Sequence, residues 1–353
     1  MNLLANIFES SKRQGNIIKN EDVLNYEYVP KILPFREGQV QEIAESIKPM
    51  LDERKGTNLF IFGAPGIGKT ASIKWVLREL DEHTDEIIPL YVNCWNLKTK
   101  YFIFMEMANK LKISFIAGKS AEHVLQQLVY RLKDKKIVFV FDEVDKAEDS
   151  DFLYQIIESF PKSTILLASN VRDYTINMDP RIKSRMMIRS LEFKPYTISE
   201  INKILSERVK FALKSDVLDP SLIKQISNVT YNKGDIRVGL FILREAAKAA
   251  ESKSKKRIEE GDVLAILREL ENATTTLADE ERLTKDESMI LDVIKEFGND
   301  VAGTIYEHYA KKGGLLSYRS FKRYIERLVN LGILKSESTS AGFRGQSSRI
   351  SIV

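Results

Sequence analysis

Apolar positions along the chain fall into two patterns. Short unbroken runs, Asn58-Leu59-Phe60-Ile61-Phe62, Leu90-Tyr91-Val92, Ile137-Val138-Phe139-Val140-Phe141 and Thr164-Ile165-Leu166-Leu167-Ala168-Ser169, are of strand length and read as strands buried on both faces. Between them, apolar residues recur at helical spacing. Over 70–80, Ile73, Val76, Leu77 and Leu80 share one face, and a further helix is expected over 121–132. Strands of this kind separated by helices predict an α/β core with a parallel sheet, closing at Phe193-Lys194-Pro195.

Beyond that point the pattern is helical. Thr197 and Glu200 form a T-x-x-E capping box before Ile201, Ile204, Leu205 and Val209. Asp219-Pro220 opens another helix with Leu222, Ile223 and Ile226 apolar, and two more are expected over 235–250 and 261–270. The polar stretch 271–281, with Asn272-Ala273-Thr274-Thr275-Thr276, reads as a linker. A third module follows. Helices are expected over 286–297 and 302–309, and Gly313-Gly314 makes a break. Ser317 then caps a helix whose Phe321, Ile325, Leu328 and Val329 form a core stripe. Ile333-Leu334-Lys335-Ser336 and Arg349-Ile350-Ser351-Ile352 pair as strands around Gly342-Phe343-Arg344-Gly345. Three helices and a hairpin predict a winged helix.

Composition narrows the class. With 43% hydrophobic and 29% charged residues among 353, the chain reads as globular rather than disordered. No apolar run approaches the roughly 18 residues of a membrane span, and 1–15 lack the apolar core of a signal peptide. A single cysteine, Cys94, excludes an intrachain disulfide framework, and three dispersed histidines leave little for a zinc site. A cytoplasmic location, associated with the nucleoid and without a membrane partner, is the expectation. The net charge is only +4, but 311–353 carries nine Lys or Arg against Glu326 and Glu337. A tail of +7 on a body near −3 points to a polyanion.

The most specific motif is Gly63-Ala64-Pro65-Gly66-Ile67-Gly68-Lys69-Thr70, a full G-x-x-x-x-G-K-[ST] between strand and helix. Its glycines let backbone N–H groups turn inward around phosphates, and the helix N-terminus adds partial positive charge. Lys69 is expected on the β- and γ-phosphates of ATP or ADP, and the Thr70 hydroxyl on Mg²⁺. Asp142-Glu143 ends the most apolar strand. Asp142 is expected to serve the Mg²⁺ shell and Glu143 to position or deprotonate the attacking water. Asn170 tips the next strand, where an amide can reach a γ-phosphate or that water. In Asp179-Pro180-Arg181-Ile182-Lys183-Ser184-Arg185, Arg181 and Arg185 are candidates to reach a phosphate across a subunit boundary.

Taken in order, these motifs resemble an AAA+ ATPase. Tyr28-Val29-Pro30-Lys31-Ile32-Leu33-Pro34-Phe35-Arg36-Glu37, the Asp179-to-Ser184 stretch and Gly234-Asp235-Ile236-Arg237-Val238-Gly239-Leu240 resemble the archaeal origin-recognition and initiator family. The resemblance implies a P-loop AAA+ parallel-sheet core over 1–194 with an N-terminal arm over 1–25. It implies an all-α lid over 195–271, a linker over 272–283 and a winged-helix DNA-binding domain over 284–353. It places Val29, Pro30 and Arg36 on the adenine side, makes Asn170 sensor 1 and Arg237 sensor 2, and makes Asn93 the polar residue that couples Glu143 to DNA binding. ATP hydrolysis would be slow and used as a switch.

Double-stranded origin DNA is the implied partner. Tyr318, Arg319, Lys322 and Arg323 are available on the third C-terminal helix, with Arg344 and Arg349 on the wing. A helical insertion over 95–118 would add Lys98, Thr99, Lys100 and Tyr101 as an exposed tip, while Phe102, Phe104, Met105 and Met107 look like packing. The implied activity is replication initiation with recruitment of a replicative helicase and DNA-dependent self-association. A transcription regulator and a helper ATPase working through protein contacts are the rival readings.

Overall fold

A computed structural model describes residues 17–114, 116–148, 150–281, 285–297, 300–330, 334–338 and 348–352. The chain divides into two compact units, Met1–Val263 and Leu264–Val353.

In the first unit, strands β1 (Leu59–Phe62), β2 (Ile87–Asn93), β3 (Lys136–Asp142), β4 (Thr164–Ser169) and β5 (Arg189–Glu192) form one sheet in the order β2-β3-β4-β1-β5. Every pairing is parallel. The period-two alternation of a strand splits each apolar run between the two faces. Phe60, Phe62, Phe139 and Phe141 go to one face and pack with α3 (Lys100–Lys110), α4 (Ala121–Arg131), α5 (Asp151–Ser159) and α6 (Pro180–Met186). Leu59, Ile61, Val138, Val140, Leu166 and Ala168 go to the other, against α1 (Glu37–Ile47) and α2 (Lys69–His83). Phe141 meets Phe152 edge-on at 5.0 Å between ring centres, a favoured aromatic geometry. Burying each such side chain contributes about 1.5–3 kcal/mol.

One buried amide stitches the sheet. Asn58 Nδ2 donates to the Met186 carbonyl at 2.6 Å, and its Oδ1 accepts from Ile165 N at 2.8 Å. Both ends of the amide are satisfied inside the core, as a buried polar group requires. The sheet order sets the tips of β3, β4 and β1 side by side.

The lid is α7 (Ile198–Ala212), α8 (Pro220–Lys233) and α9 (Ile236–Ser252), with the first residues of α10 (Glu260–Glu281) up to Val263. The capping box forms as the spacing predicts, with Thr197 N donating to Glu200 Oε2 at 2.7 Å and Glu200 N to Thr197 Oγ1 at 3.3 Å. Gly234 ends α8 at φ 68°, a left-handed conformation that glycine adopts without strain. The N-terminal segment attaches to this lid rather than to the sheet. Ile17 N and Ile18 N donate to Glu251 Oε1 at 2.7 and 2.8 Å, and Lys19 N donates to the Ala212 carbonyl at 2.7 Å. The first part of the arm, 1–16, lies outside the described residues.

The expected linker is helical: α10 runs on to Glu281. No Gly or Pro interrupts 262–281, and its Ala, Leu and Glu residues are strong helix formers, so polarity alone does not break the helix. Residues 282–283 of that expected linker are outside the described set.

The second unit holds α11 (Lys285–Phe297), α12 (Ala302–Lys311), α13 (Tyr318–Asn330) and a sheet of β6 (Asp300–Val301), β7 (Leu334–Ser338) and β8 (Ser348–Ile352) in the order β6-β8-β7. Both pairings are antiparallel, and Leu334 faces Ile352 as the hairpin reading requires. The two-residue β6 is too short to be seen in the hydrophobic pattern. Ile290, Ile294, Ile305, Tyr309, Phe321, Leu328 and Ile350 make one core. The Tyr309 hydroxyl donates to Asp286 Oδ1 at 2.7 Å. Gly314 lies flat on the Tyr309 ring, where a Cβ would collide, so the Gly313-Gly314 break is a packing requirement as well as a turn. No helix among the described residues is long and apolar enough to cross a membrane.

Candidate nucleotide site

The site forms where β1, β3 and β4 end beside the first turn of α2. Gly63, Gly66 and Gly68 have φ of 150°, 68° and 96°. This backbone would strain other residues and turns amide donors toward one point. Lys69 is 7% exposed, and its Nζ donates to the carbonyls of Gly63 and Ala64 at 2.8 Å each and to Asn170 Oδ1 at 2.7 Å. Burial lowers its pKa, opposed by the nearby Asp142 and Glu143 carboxylates, while Arg237 adds to the lowering.

Asp142 is 1% exposed. Its Oδ2 accepts from the Thr70 hydroxyl at 2.7 Å, and its Oδ1 accepts from Glu143 N at 2.9 Å. A buried carboxylate beside a threonine hydroxyl offers the hard oxygen donors that Mg²⁺ takes, so the residues fit that ion. Glu143 itself sits at φ 53°, a left-handed conformation uncommon for a non-glycine residue and frequent at functional sites. Its Oε2 accepts from Asn170 Nδ2 at 2.9 Å. Asn170 therefore bridges the P-loop lysine to the glutamate, with one end of its amide on each.

Arg237 enters from the lid at the start of α9. Its Nε lies 2.9 Å from both oxygens of Asp235, and its Nη2 2.5 Å from Oδ2. This fork raises the arginine's pKa despite partial burial. Asp235 also caps α9 by accepting from Arg237 N at 2.9 Å, and it lies so close to Gly66 that a Cβ there would strike its carboxylate. Ile236 N reaches the Gly66 carbonyl at 3.3 Å. Lid helix and P-loop thus meet through Asp235. Asp235→Ala removes the cap and is expected to lower unfolding stability by about 1 kcal/mol in a urea titration.

The remaining expected residues have partners within the protein. Arg36 is 4% exposed and its guanidinium is taken up within the protein. Nε donates to the Ile67 carbonyl at 3.0 Å, Nη2 to the Lys194 carbonyl at 2.8 Å, and the group stacks 3.8 Å from the Tyr196 ring centre. It braces the P-loop through the Ile67 carbonyl, so its donors are already engaged within the protein. Val29 and Pro30 offer carbonyls to Arg78 of α2 at 3.4 and 3.5 Å. Asn93 sits opposite Asp142 in the β2–β3 register, but its Oδ1 accepts from Trp95 N at 2.8 Å, and the contact to Glu143 comes from Asn170. Arg181 forks onto Asp179, with Nη2 to Oδ2 at 2.7 Å, and Arg185 pairs with Glu158 and lies over the Tyr154 ring.

The insertion also departs from its expected tip. Lys98 is exposed, but Thr99 caps α3, Lys100 pairs with Glu122 at 3.0 Å, and Tyr101 packs on the core. Phe102, expected to pack, is 52% exposed, as is Trp95 at 55%. Phe104 and Met107 are buried and Met105 packs against the core as expected; Ile103 takes the inward position next to them, and Phe102 alone of the four is left outside. In the second unit, Arg319, Lys322 and Arg323 are exposed along α13 while Phe321, Ile325 and Leu328 are buried. Tyr318 is half-exposed beneath the Lys322 ammonium, and Arg349 is exposed on β8. Arg344 lies outside the described residues.

Three site residues escape sequence reasoning. Tyr91 donates its hydroxyl to Asp142 Oδ2 at 2.7 Å. Asp145 accepts from Ser169 Oγ at 2.7 Å and holds the turn before Asn170. Burial works to raise its pKa, but Ser169 and Lys146 outweigh this and the carboxyl falls below its ordinary value. Asp235 is the third. Its only sequence signal was its place two residues before Arg237.

Comparison with known proteins agrees with this geometry. Residues 52–168 match an AAA domain, and residues 202–265 match the Cdc6 AAA+ ATPase-type lid domain. The chain is 28% identical to the ORC1-type DNA replication protein 1 of Archaeoglobus fulgidus, over 97% of this chain and 89% of that protein. It is 29% identical to the corresponding protein of Aeropyrum pernix, over 96% and 92%. Among solved structures, the Aeropyrum pernix ORC1 protein in complex with DNA is 28% identical with a TM-score of 0.72, covering 95% of this chain and 94% of that one. The Aeropyrum pernix ORC2 protein, solved in ADPNP–ADP complexes, shares the fold at a TM-score of 0.65 and 21% identity, over 96% and 94%. A P-loop core with a matched AAA domain, a Cdc6-type lid and end-to-end similarity make the chain an AAA+ ATPase that resembles archaeal ORC1-type DNA replication proteins.

Proposed function

We propose that the chain is an ATP-regulated replication initiator that binds double-stranded origin DNA. The observation that carries this reading is the division of labour on α13, where Phe321, Ile325 and Leu328 hold the core while Arg319, Lys322 and Arg323 face outward. A helix so divided can lie in a major groove, with Arg349 of β8 available to phosphates. The similarity to an ORC1 protein solved with DNA supports the same reading.

ATP or ADP would bind at 63–70, with Thr70 and Asp142 serving Mg²⁺. That ion would supply charge neutralisation at the phosphates. Glu143, which accepts a hydrogen bond from Asn170, would take the proton from the attacking water. Arg237 would read the γ-phosphate from the lid, changing the core-to-lid arrangement with nucleotide state. Arg181 or Arg185 would serve a neighbouring copy after leaving Asp179 or Glu158. Trp95, Lys98 and Phe102 are exposed on the insertion and would touch DNA. Recruitment of a replicative helicase and DNA-dependent self-association complete the proposal, all in the cytoplasm.

The test is capture and sequencing of fragmented host DNA with the purified protein and ATP at about 150 mM salt, which suppresses non-specific phosphate binding. The expected outcome is one or a few loci carrying repeated, oriented sites. Scattered promoter sites would replace the proposal with a transcription regulator, and absence of enrichment would favour a helper ATPase.

A further inference from the structure

We propose that Tyr91 is a positioning residue for the metal-binding carboxylate, holding Asp142 in the orientation that serves Mg²⁺ and tying it to the insertion helix α3. The proposal rests on the reading of Thr70 and Asp142 as the Mg²⁺ pair. Strand alternation puts Tyr91 and Asn93 on the same face of β2, and register sets Asn93 opposite Asp142 on β3. The tyrosine is then close enough for its hydroxyl to donate to Asp142 Oδ2 at 2.7 Å, the same oxygen that accepts from Thr70 at 2.7 Å.

The two hydroxyls have different freedom. Thr70 can keep its proton on Asp142 while turning an oxygen lone pair to a cation, so it can act as ligand and donor together. Tyr91 approaches from the adjacent strand and has no such second task. With Glu143 N on Oδ1 at 2.9 Å, it fixes the carboxylate from the protein side. Outer-shell donors of this kind set the orientation and basicity of metal-binding oxygens.

The ring is held as well as the hydroxyl. Lys74 Nζ of α2 and Lys110 Nζ of α3 lie 5.3 and 5.5 Å from its centre, and Lys110 Nζ also donates to the Tyr91 carbonyl at 2.6 Å. A cation near an aromatic face is attracted by the ring quadrupole. The last turn of the insertion helix is thus linked through one residue to the carboxylate at the P-loop.

Tyr91→Phe keeps the ring and its two ammonium neighbours and removes only the hydroxyl. ADP affinity of the full chain is measured by calorimetry in EDTA and across a Mg²⁺ titration, with the melting temperature recorded alongside. The expected result is unchanged metal-free ADP affinity and a Mg²⁺ half-saturation raised about tenfold. An unchanged half-saturation, or equal losses with and without metal, would overturn the proposal. If wild-type ADP binding itself ignores Mg²⁺, the Thr70–Asp142 reading fails first and the proposal falls with it.

Discussion

Lys69→Ala is expected to lose ATP binding, with affinity falling at least about 100-fold, or about 2.7 kcal/mol. Lys69 is enclosed by the carbonyls of Gly63 and Ala64 and by Asn170 Oδ1, all within 2.8 Å of its Nζ. These are neutral acceptors, and its pKa is lowered by burial, so the ammonium is held inside at a cost. A phosphate is the partner that offsets this cost, because it brings full negative charge to a cation already placed. Alanine removes the cation and leaves a cradle of amides and a helix N-terminus, which attract anions far more weakly. Calorimetry with ATP reads the loss directly, and circular dichroism checks that the fold is intact. Unchanged affinity in a folded variant would mean that nucleotide binds elsewhere.

Glu143→Gln is expected to separate binding from turnover. ATP affinity should stay within about threefold of wild type while hydrolysis falls by about 10²–10⁴-fold, the usual contribution of a general base. Glutamine has the same shape as glutamate, and its amide oxygen can still accept from Asn170 Nδ2, which lies 2.9 Å from Glu143 Oε2. What it cannot do is take a proton. Phosphate release under saturating ATP measures turnover. A variant that hydrolyses at the wild-type rate would remove Glu143 from the role of base and leave water activation to another group.

The two substitutions probe a single hydrogen-bonded chain. Lys69 and Glu143 grip opposite ends of the Asn170 amide. Under the proposed function, an arriving γ-phosphate would attract Lys69 and free one end of that amide, and Asn170 would then report phosphate occupancy to Glu143. The lid carries a parallel arrangement: Asp235 lies against Gly66 and holds Arg237, which under the proposed function a more negative phosphate would draw away.

The P-loop was legible because it is local. Its glycines, Lys69 and Thr70 lie within eight consecutive residues, and their conformations follow from chain geometry at those positions. The capping box at Thr197 and Glu200 and the core stripe of α13 were legible for the same reason, since spacing of three to eight residues determines which side chains share a helix face. Charge was legible too: the basic surplus over 311–353 needs no fold to be counted.

Tertiary structure alone decided the rest. Tyr91 reaches Asp142 because parallel register aligns β2 with β3 across 51 positions of sequence. Arg36 looks like a ligand for nucleotide until the carbonyls of Ile67 and Lys194 claim it, the latter 158 residues away. Lys100 looks like a free cation until α4 brings Glu122 to it, and Phe102 looks like core until the phase of α3 turns it outward. The chain from 271 to 281 looks like a break, yet nothing in its backbone chemistry stops the helix. Local spacing determines which elements form and which faces they own. Which polar groups end up opposite one another depends on register and layer packing, and these are settled only when distant segments share one core.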